Sequence, residues 1–369
     1  MPNILIVTLD AGGNVPLTFG IGRELLRRGN RVRVLAHEAL RTAVDAAGLE
    51  FRAYRHSPPW DPHDIHGTWK LVTRMVAVMT RPGIGQDLLD EVRADPADLV
   101  VIDCMLFDAL DTAARESLRH VALFPTFFGC LDGMIQRTPF GLVARLEGLG
   151  PRRLWRQADL ALVCSDRELD PAGRRSHDGN LAWSGAVHDA KEPAVGRNPP
   201  LVLASLSTVG FPGQRRVLQN LLDAAEGLDI ELVVTTGPSV DPTELKPPAN
   251  AAVHQHLPHN QVMPACSAVV GHGGHGTTFR ALAHGLPMLI LPMSRLSDQP
   301  TIGRTVAASG AGKVLRKTAH PHRIRKALDE LLRTDSYRAG AAALGDRIRA
   351  TDGAATAADR LLTLIDRGF

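Results

Sequence analysis

Residues 267–299 read SAVVGHGGHGTTFRALAHGLPMLILPMSRLSDQ, and this stretch decides the fold of the second half of the chain. SAVV is typical of a short buried strand, TTFRALAHG has the apolar spacing of a helix that stops at Gly285, and PMLILP is typical of a second strand. The turn GHGGHG is rich in glycine, so an anion can approach the unpaired N–H groups of the helix start. The stretch therefore predicts a β-α-β unit with an anion site, followed by a hydroxyl-binding site at Asp298 and Gln299.

The same alternation of strand and helix patterns runs through the rest of the chain. Apolar runs at 3–9, 32–36, 99–102 and 121–124 are typical of strands buried on both faces of a parallel sheet. The alternation stops at EPAVGRNPP and starts again with LVLASL, QRRVLQNLLDAAEGL and ELVVTTG. The fold class is therefore α/β, with two Rossmann-like, doubly wound parallel-sheet domains that face each other across a cleft. We place these domains at 1–190 and 199–369, with a linker at 191–198 and the C-terminal helices in the second domain.

Composition indicates a globular protein without a strongly charged partner. The 369 residues are 44% hydrophobic and 22% charged, with a net charge of +3, so neither nucleic acid nor an acidic membrane is an expected partner. The four cysteines are scattered and form no C-x-x-C pair, which predicts neither a zinc site nor a disulfide framework. MPNILIVTLD leads directly into a strand pattern, and no run of eighteen apolar residues occurs. We therefore expect a cytoplasmic protein without a membrane span.

The glycine turn also fits a dinucleotide-binding fingerprint. Gly271, Gly273 and Gly276 satisfy G-x-G-x-x-G before a helix, and an acidic residue, Asp298, follows. However, Asp298 lies a full loop beyond the next strand, and the turn contains His272 and another histidine, which a closely bound pyrophosphate normally excludes. A purely structural turn is the other alternative.

The surrounding residues resemble a known enzyme family. The chain contains a Leu-Pro segment at 257–258, His-Gly-Gly-x-Gly-Thr at 272–277, Ala-x-x-x-Gly-x-Pro at 281–287 and Asp-Gln at 298–299. In this order the motifs resemble the donor-binding region of family 1 nucleotide-sugar-dependent glycosyltransferases of the GT-B fold, of the bacterial natural-product type. The resemblance covers residues 253–312 closely.

The resemblance implies roles for individual donor-side residues. Leu257 would present its backbone to the nucleobase, His272 and the following turn would hold the diphosphate, and Asp298 with Gln299 would bind sugar hydroxyls. Small hydroxyl residues after the first strand of this domain resemble a turn that meets the phosphates from the opposite side, although such residues are also common caps. Asp298 is also a candidate N-cap, and His275 a packing or rim residue. The implied donor-binding residues are Ser207, Thr208, Gly237, Leu257, His272, Gly273, Gly274, Gly276, Thr277, Asp298 and Gln299.

Two departures from the family pattern carry information. Where many relatives have a glutamate that binds both ribose hydroxyls, this chain has Arg280, which favours a thymidine diphosphate sugar over a uridine one. Where the family has a catalytic histidine after the first strand, AGGNVP places Gly13. No D-x-D motif occurs, so we expect neither a metal ion nor another cofactor, and the helix dipole with His272 would stabilise the diphosphate instead.

A transfer that inverts the anomeric centre needs a base near the acceptor. Asp10 and Asp103 follow strands one and four at the edge where open α/β sheets place ligand-facing residues, and Asp103 matches the family's carboxylate partner of the missing histidine. We take Asp10 as the base or acceptor anchor, Asp103 as the second candidate and Asn14 as an orienting residue, although strand-end aspartates also cap helices. Further candidate bases are His37, His56, His63 and His66.

The acceptor side is predicted only in outline. Residues 67–86 and 124–134 are rich in Met, Val and aromatic side chains, which suit either a hydrophobic acceptor pocket or a core. A carboxylate base is adequate for a phenol, so we expect an inverting transfer from a nucleotide diphosphate sugar to a small phenolic or polyketide-like acceptor. The alternatives are a nucleotide-sugar epimerase of the same fold and a catalytically silent nucleotide-sugar-binding protein. The sequence carries no signal of oligomeric state.

Overall fold

The computed structural model describes residues 1–62, 68–137, 139–177 and 179–367. Within these residues the chain forms two compact units. The first unit comprises Met1–Asp61, Thr68–Val187 and the C-terminal residues from Asp352, and the second includes His188–Thr351. The two-domain α/β organisation predicted from the sequence is therefore confirmed, and each unit contains one parallel sheet.

The first unit is built on a seven-stranded parallel sheet of order β3-β2-β1-β4-β5-β6-β7. Its inner strands are apolar on both faces, because helices cover both sides of a parallel sheet. The apolar runs predicted as strands at 3–9, 32–36, 99–102 and 121–124 correspond to β1, β2, β4 and β5. The strands are β1 Asn3–Val7, β2 Arg31–Ala36, β3 Glu50–Ala53, β4 Leu99–Asp103, β5 His120–Phe124, β6 Leu160–Val163 and β7 Leu181–Trp183.

Helices separate most of these strands, as a doubly wound fold requires. Within the described residues they are α1 Asn14–Arg27, α2 Arg41–Ala46, α3 Thr68–Thr80, α4 Ile84–Ala94, α5 Phe107–Arg115, α6 Phe128–Arg137, α7 Pro139–Leu146 and α8 Pro151–Gln157. The α1 side of the sheet forms one apolar cluster and the α4–α5 side another. The carboxyl ends of β1 and β4 lie next to each other, because these two strands are paired in register.

The second unit is built on a six-stranded parallel sheet of order β10-β9-β8-β11-β12-β13. Its strands are β8 Leu201–Ser205, β9 Glu231–Thr235, β10 Ala251–His254, β11 Cys266–Gly271, β12 Met288–Ile290 and β13 Gly312–Val314. Its helices are α9 Gln214–Ala225, α10 His259–Val262, α11 His275–Ala283, α12 Gln299–Ala308, α13 Pro321–Arg333 and α14 Asp335–Arg349. The β-α-β unit predicted from residues 267–299 is confirmed as β11-α11-β12.

The last helix, α15 Gly353–Asp366, belongs to the first unit, which differs from the predicted domain boundary. Ala357, Ala358 and Leu361 are fully buried in the same apolar cluster as the α1 side of the first sheet. The Arg28 guanidinium of α1 also pairs with Asp359 and donates to the Ala355 carbonyl at 3.1 Å. Burial of this apolar face decides the helix's position, because sequence order places no such constraint on a C-terminal helix.

The predicted linker has no helix or strand, and it is bonded along the second unit. The Ala194 N–H donates to the His284 carbonyl at 2.8 Å, and the Val195 N–H donates to the Pro264 carbonyl at 3.0 Å. The Glu192 carbonyl lies 3.0 Å from His284 Nδ1. The chain passes between the units at Val187 and His188, slightly before the predicted linker begins.

Candidate active site

Residues predicted on the donor side follow strands that end side by side at the carboxyl edge of the second sheet. In register, Ser205 of β8 lies opposite both Gly271 of β11 and Thr235 of β9. Ile290 of β12 lies opposite Gly271, and His254 of β10 lies opposite Thr235. The loops that begin at these five strand ends carry Ser207, Thr208, Gly237, Leu257, His272 and Asp298. The fold therefore gathers residues that are up to 91 positions apart at one sheet edge.

Helix α11 begins at this edge without a side-chain cap. Its N-cap is Gly274, which offers no side-chain acceptor, and its first turn contains no acidic residue. The first backbone bond of the helix runs from the Thr278 N–H to the Gly274 carbonyl at 3.1 Å. The N–H groups before Thr278 have no partner within the helix, and together with the helix dipole they favour an anion at this position.

The glycines of the turn are required by close packing. Gly273 has φ +84°, and a Cβ there would come within 2.9 Å of the Gln299 carbonyl and 3.0 Å of Ile290 Cγ2. A Cβ on Gly274 would overlap the His272 ring. The turn is therefore held between the start of α12 on one side and the His272 imidazole on the other.

His272 presents a neutral imidazole beside the start of α11. Burial lowers the pKa of His272 to about 4, so the ring is uncharged at neutral pH. The ring centroid lies 6.3 Å from that of Phe211, and Nδ1 is buried without a hydrogen-bond partner among the described residues. A neutral imidazole donates from one nitrogen, so His272 can give a hydrogen bond to a bound oxyanion without carrying charge.

His275 has a different role from its neighbour. It is buried at the start of α11 and its ring stacks on Phe279 with centroids 4.2 Å apart. Burial lowers the pKa of His275 to about 3. Of the two positions predicted for it, packing or rim, the structure therefore shows packing. Gly276 and Thr277 are half-buried in the same first turn, and Thr277 is thus available at the edge of the predicted anion site.

Asp298 and Gln299 lie at the start of α12, and Gln299 stabilises the local fold through its side chain. Gln299 is buried, and its Oε1 accepts hydrogen bonds from the Met293 N–H at 2.7 Å and the Ser294 N–H at 3.0 Å. Asp298 occupies the N-cap position, yet its side chain makes no capping hydrogen bond. The side-chain oxygen Oε1 of Gln299 therefore binds the loop after β12. The side-chain nitrogen Nε2 of Gln299 and the half-buried Asp298 carboxylate remain candidates for hydroxyl binding.

The loops after β8 and β9 contact each other. Gly237 has φ +67°, and a Cβ at this position would come within 2.7 Å of the Ser207 carbonyl. The Val209 N–H donates to Ser207 Oγ at 3.0 Å, so this hydroxyl stabilises its own turn, and Gln214 Nε2 donates to the Ser207 carbonyl at 3.1 Å. Thr208 is exposed beside it. No motif or spacing indicated Gln214, which links this loop to α9.

Arg280 forms an ion pair with Asp189. Arg280 Nε donates to Asp189 Oδ1 at 2.9 Å, and Asp189 lies 91 positions earlier in the chain. No periodicity or motif indicates this pair. Arg280 also contributes to lowering the pKa of His259 to about 4, after burial, so α10 and the Leu257 loop lie within electrostatic reach of Arg280. The Leu257 side chain is half-buried.

The carboxyl edge of the first sheet brings together Asn14 and Asp103. Asn14 is buried at the start of α1 and its Nδ2 donates to Asp103 Oδ2 at 3.1 Å and to the Leu9 carbonyl at 2.8 Å. Asp103 Oδ1 accepts from the Met105 N–H at 3.0 Å. Burial raises the pKa of Asp103 to about 6 despite these hydrogen bonds. A carboxylate of this kind is a stronger base than an exposed one.

Asp10 lies next to this pair along the chain. Its Oδ1 accepts from the Gly12 N–H at 2.8 Å, and its carbonyl accepts from Trp60 Nε1. The Ala11 N–H donates to Asn14 Oδ1 at 3.0 Å, so the turn that contains Gly13 is tied to the start of α1. One oxygen of the half-buried Asp10 carboxylate is therefore used in the turn before α1, and Asp10 does not cap that helix, whose N-cap is Gly13 without a side-chain capping bond.

The further candidate bases have structural partners. His37 Nε2 lies 3.1 Å from the Pro58 carbonyl and 3.0 Å from Ser57 Oγ. His56 Nδ1 lies 2.8 Å from Asp87 Oδ1, and the buried Asp87 also accepts backbone N–H groups of residues 55–57. His63 and His66 lie outside the described residues.

The segments predicted for the acceptor contribute largely to the core where their side chains are described. Val78 and Met79 are buried in the apolar cluster on the α4–α5 side of the first sheet, and Met75 packs against this cluster. Phe124 is fully buried, and Phe128 contacts it with ring centroids 5.2 Å apart. The Trp69 side chain lies outside the described part of the chain.

The described residues contain neither a group of metal ligands nor a helix that could span a membrane. In 1–62, 68–137, 139–177 and 179–367, no three His, Cys, Asp or Glu side chains are grouped so as to hold a metal ion. In the same residues, no helix combines the length and the apolar character that crossing a bilayer requires.

Comparison with known proteins connects this geometry to a family. Residues 219–364 match the family model described as erythromycin biosynthesis protein CIII-like, C-terminal domain. The 4'-demethylrebeccamycin synthase of Lentzea aerocolonigenes is 26% identical, over 98% of this chain and 99% of that protein. The calicheamicin glycosyltransferase CalG4 superposes with a TM-score of 0.81 at 22% identity, over 100% of this chain and 99% of CalG4.

A third similar protein has been crystallised with both kinds of ligand. The spinosyn rhamnosyltransferase SpnG complexed with thymidine diphosphate has a TM-score of 0.72 at 20% identity, over 98% of this chain and 100% of SpnG. SpnG complexed with the spinosyn aglycone has a TM-score of 0.73 at 21% identity, over 98% and 100% of the two chains. The fold is thus that of the GT-B glycosyltransferases, and the chain is a homologue of glycosyltransferases from natural-product pathways.

Proposed function

We propose that this protein is an inverting, metal-independent glycosyltransferase that moves a sugar from a thymidine diphosphate donor to a small hydrophobic, phenolic or polyketide-like acceptor. The observation that carries the proposal is the uncapped start of α11 beside the neutral His272, at the edge where five strand ends meet. The structural neighbour SpnG, which binds thymidine diphosphate and an aglycone, supports both substrate classes.

On the donor side, the N–H groups of the α11 start and His272 would bind the diphosphate. The turn packs between the start of α12 and the His272 ring, and a side chain at Gly273 or Gly274 would not fit this close packing. The positive end of the helix dipole stabilises the charge that develops on the leaving diphosphate, which is the role a metal ion has in other transferases. Asp298 and the amide nitrogen of Gln299 would bind the sugar hydroxyls.

On the acceptor side, Asp103 has the chemistry that a base near neutral pH requires. Its pKa is raised to about 6 by burial, and Asn14 holds one of its oxygens. In the proposed step the acceptor oxygen bonds to the anomeric carbon, the acceptor proton passes to Asp103, and the bond from that carbon to the diphosphate breaks with its electron pair leaving on the nucleotide. Asp10 would anchor the acceptor, and Asn14 would orient Asp103.

The test combines donors with acceptors. The protein is incubated in EDTA with thymidine and uridine diphosphate sugars, with and without a panel of phenols, and products are followed by mass spectrometry. Acceptor-dependent release of diphosphate together with a glycosylated phenol supports the proposal. Release or epimerisation from donor alone, or absence of binding to either donor, contradicts it.

The cellular compartment is part of the same proposal. We propose that the protein acts in the cytoplasm. The absence of disulfides among its four cysteines, all of which lie in the described residues, supports a reducing compartment.

A further inference from the structure

The ion pair between Arg280 and Asp189 lies beside the proposed donor site. Arg280 follows Thr277 by three residues on α11, so the two side chains share one face of the helix. At a rise of about 1.5 Å per residue, Arg280 is less than one helical turn from Thr277. The side chain of a helical residue leans toward the helix N-terminus, which directs Arg280 toward that site.

Asp189 adds an accessible carboxylate at this place. Arg280 Nε donates to its Oδ1 at 2.9 Å, and the Arg280 and Asp189 side chains are 24% and 43% exposed. Among the described residues, no other side chain or backbone N–H of another residue donates to this carboxylate. One oxygen of Asp189 is thus oriented by the guanidinium, and the other is open to a ligand.

The nucleobase side of the site borders the same pair. His259 of α10 responds electrostatically to Arg280, to Asp189 and to His256, and Leu257 lies between the two histidines in the chain. A nucleoside whose phosphates bind at the start of α11 and whose base meets Leu257 therefore has its pentose next to Arg280 and Asp189.

We infer that Asp189, oriented by Arg280, accepts a hydrogen bond from the 3'-hydroxyl of the donor nucleotide. This inference rests on the proposed function. A 5'-linked thymidine nucleotide has a single pentose hydroxyl, and a carboxylate is a strong acceptor for it. The absence of a carboxylate on α11 at position 280 is thus compensated by Asp189, which lies in the first residues of the second unit. Asp189 reads the 3'-position, which thymidine and uridine nucleotides share, and it does not choose between them.

The test uses thymidine diphosphate and 3'-deoxythymidine diphosphate, with affinities measured by isothermal titration calorimetry. The readout is the ratio of the two affinities, because removing Asp189 also leaves Arg280 unpaired and changes the binding of both nucleotides by the same charge effect. A hydrogen bond to a charged group corresponds to a ratio of about tenfold or more in the wild type. Asp189→Ala is expected to bring the ratio close to one, and Asp189→Asn, which keeps the side-chain size if the alanine variant does not fold, to reduce it.

Glu231→Gln is the matched control. It breaks the ion pair of Glu231, the first residue of β9, with Arg197. This variant is expected to keep the wild-type ratio of the two affinities. The inference is overturned if the wild type binds both nucleotides equally, or if the Asp189 variants keep the wild-type ratio, in which case the pair only fastens the segment around Asp189 to α11. If the wild type binds neither nucleotide, the proposed function falls as well.

Discussion

The carboxyl edges of the two sheets differ in how their polar groups are satisfied. In the first unit four carboxylates are buried, and each accepts at least two hydrogen bonds from the protein itself; they are Asp87, Asp103, Asp108 and Asp170. In the second unit, no Asp or Glu among the described residues is buried. The buried polar side chains there belong to His, Thr and Gln, and none of them carries a formal negative charge.

This difference has a direct electrostatic consequence. A buried carboxylate near a diphosphate would repel it in a region of low dielectric. The second edge instead offers backbone N–H groups and neutral imidazoles, which donate hydrogen bonds without adding negative charge. At the first edge, burial raises the pKa of Asp103 and Asp108, and a carboxylate with a raised pKa can accept a proton near neutral pH. One edge is suited to anion binding and the other to proton transfer.

The largest expected effect tests the proton-transfer side. Asp103→Asn removes the proposed base while keeping the size of the side chain, and general-base catalysis is worth about 10²–10⁴-fold in rate. We expect kcat to fall by about that factor, with thymidine diphosphate affinity unchanged. Because the Asp103 pKa is about 6 and the carboxylate must be ionised, wild-type kcat/KM is expected to rise as pH increases through 6. Turnover near the wild-type level would remove Asp103 from the mechanism, and Asp10→Asn measured in parallel would then test the other carboxylate.

The second prediction separates the two histidines of the glycine turn. His272→Ala removes the proposed donor to the diphosphate, and loss of a hydrogen bond to a charged group weakens binding by about tenfold or more. We expect titration calorimetry to show this loss for thymidine diphosphate, with little change in the unfolding midpoint. His275→Ala is the matched control, because His275 stacks on Phe279 and is expected to lower stability rather than affinity. The reverse pattern would make the turn purely structural.

The third prediction concerns acid stability of the second unit. The pKa of His275 is about 3 in the folded protein, well below the value near 6.5 expected in the unfolded chain, so the unfolded state binds protons first as pH falls. The contribution of neutral His275 to the free energy of unfolding is fully present above pH 6.5 and is lost progressively as pH falls toward 3. Between pH 7.5 and pH 5 this linkage amounts to about 2 kcal/mol of unfolding free energy.

Urea unfolding at the two pH values measures this effect. A His275→Gln variant, which cannot become charged, is expected to show about 2 kcal/mol less destabilisation on acidification than the wild type. An equal pH dependence in both proteins would show that His275 is not the group responsible.

The smallest expected effect is at Ser207. Its hydroxyl accepts the Val209 N–H, so Ser207→Ala removes a turn hydrogen bond as well as a proposed phosphate contact. Because Ser207 Oγ already accepts a hydrogen bond within its own turn, we expect its phosphate contact to be weaker than that of His272, with a loss of about fivefold in donor affinity, or about 1 kcal/mol. Thr208→Ala tests the neighbouring hydroxyl in the same assay. If neither change alters affinity, the loop after β8 does not contact the donor.

The elements of the fold could be predicted from local pattern because the inner strands are buried on both faces and each break has a chemical cause. β11, α11 and β12 follow from SAVV, the glycine turn and Gly285, where φ is +68°. The position of α15 could not be predicted, because an amphipathic helix at a chain end can pack on any complementary apolar surface. Its three buried side chains match the α1 side of the first sheet.

The sequence likewise predicted some features of the candidate site and not others. Motif spacing indicated the glycine turn and His272, because a backbone anion site needs several glycines within one short segment. Motif spacing did not indicate the pairing of Arg280 with Asp189. It also did not indicate that the side-chain oxygen of Gln299 would accept hydrogen bonds from the loop after β12. It also indicated Asn14 and Asp103 only as separate candidates, whereas the structure joins them by a hydrogen bond.

The sequence by itself determined the two-unit α/β architecture and the place of the glycine turn at which we propose the anion site, because both arise from hydrophobic periodicity and glycine spacing within short segments. Tertiary structure alone decided which side chains meet and in what protonation state. Asp189 reaches Arg280, and Asp103 acquires a pKa of about 6, through contacts between residues that are distant in the chain and through burial. Hydrogen-bond partners and desolvation depend on three-dimensional packing, which local sequence spacing does not contain.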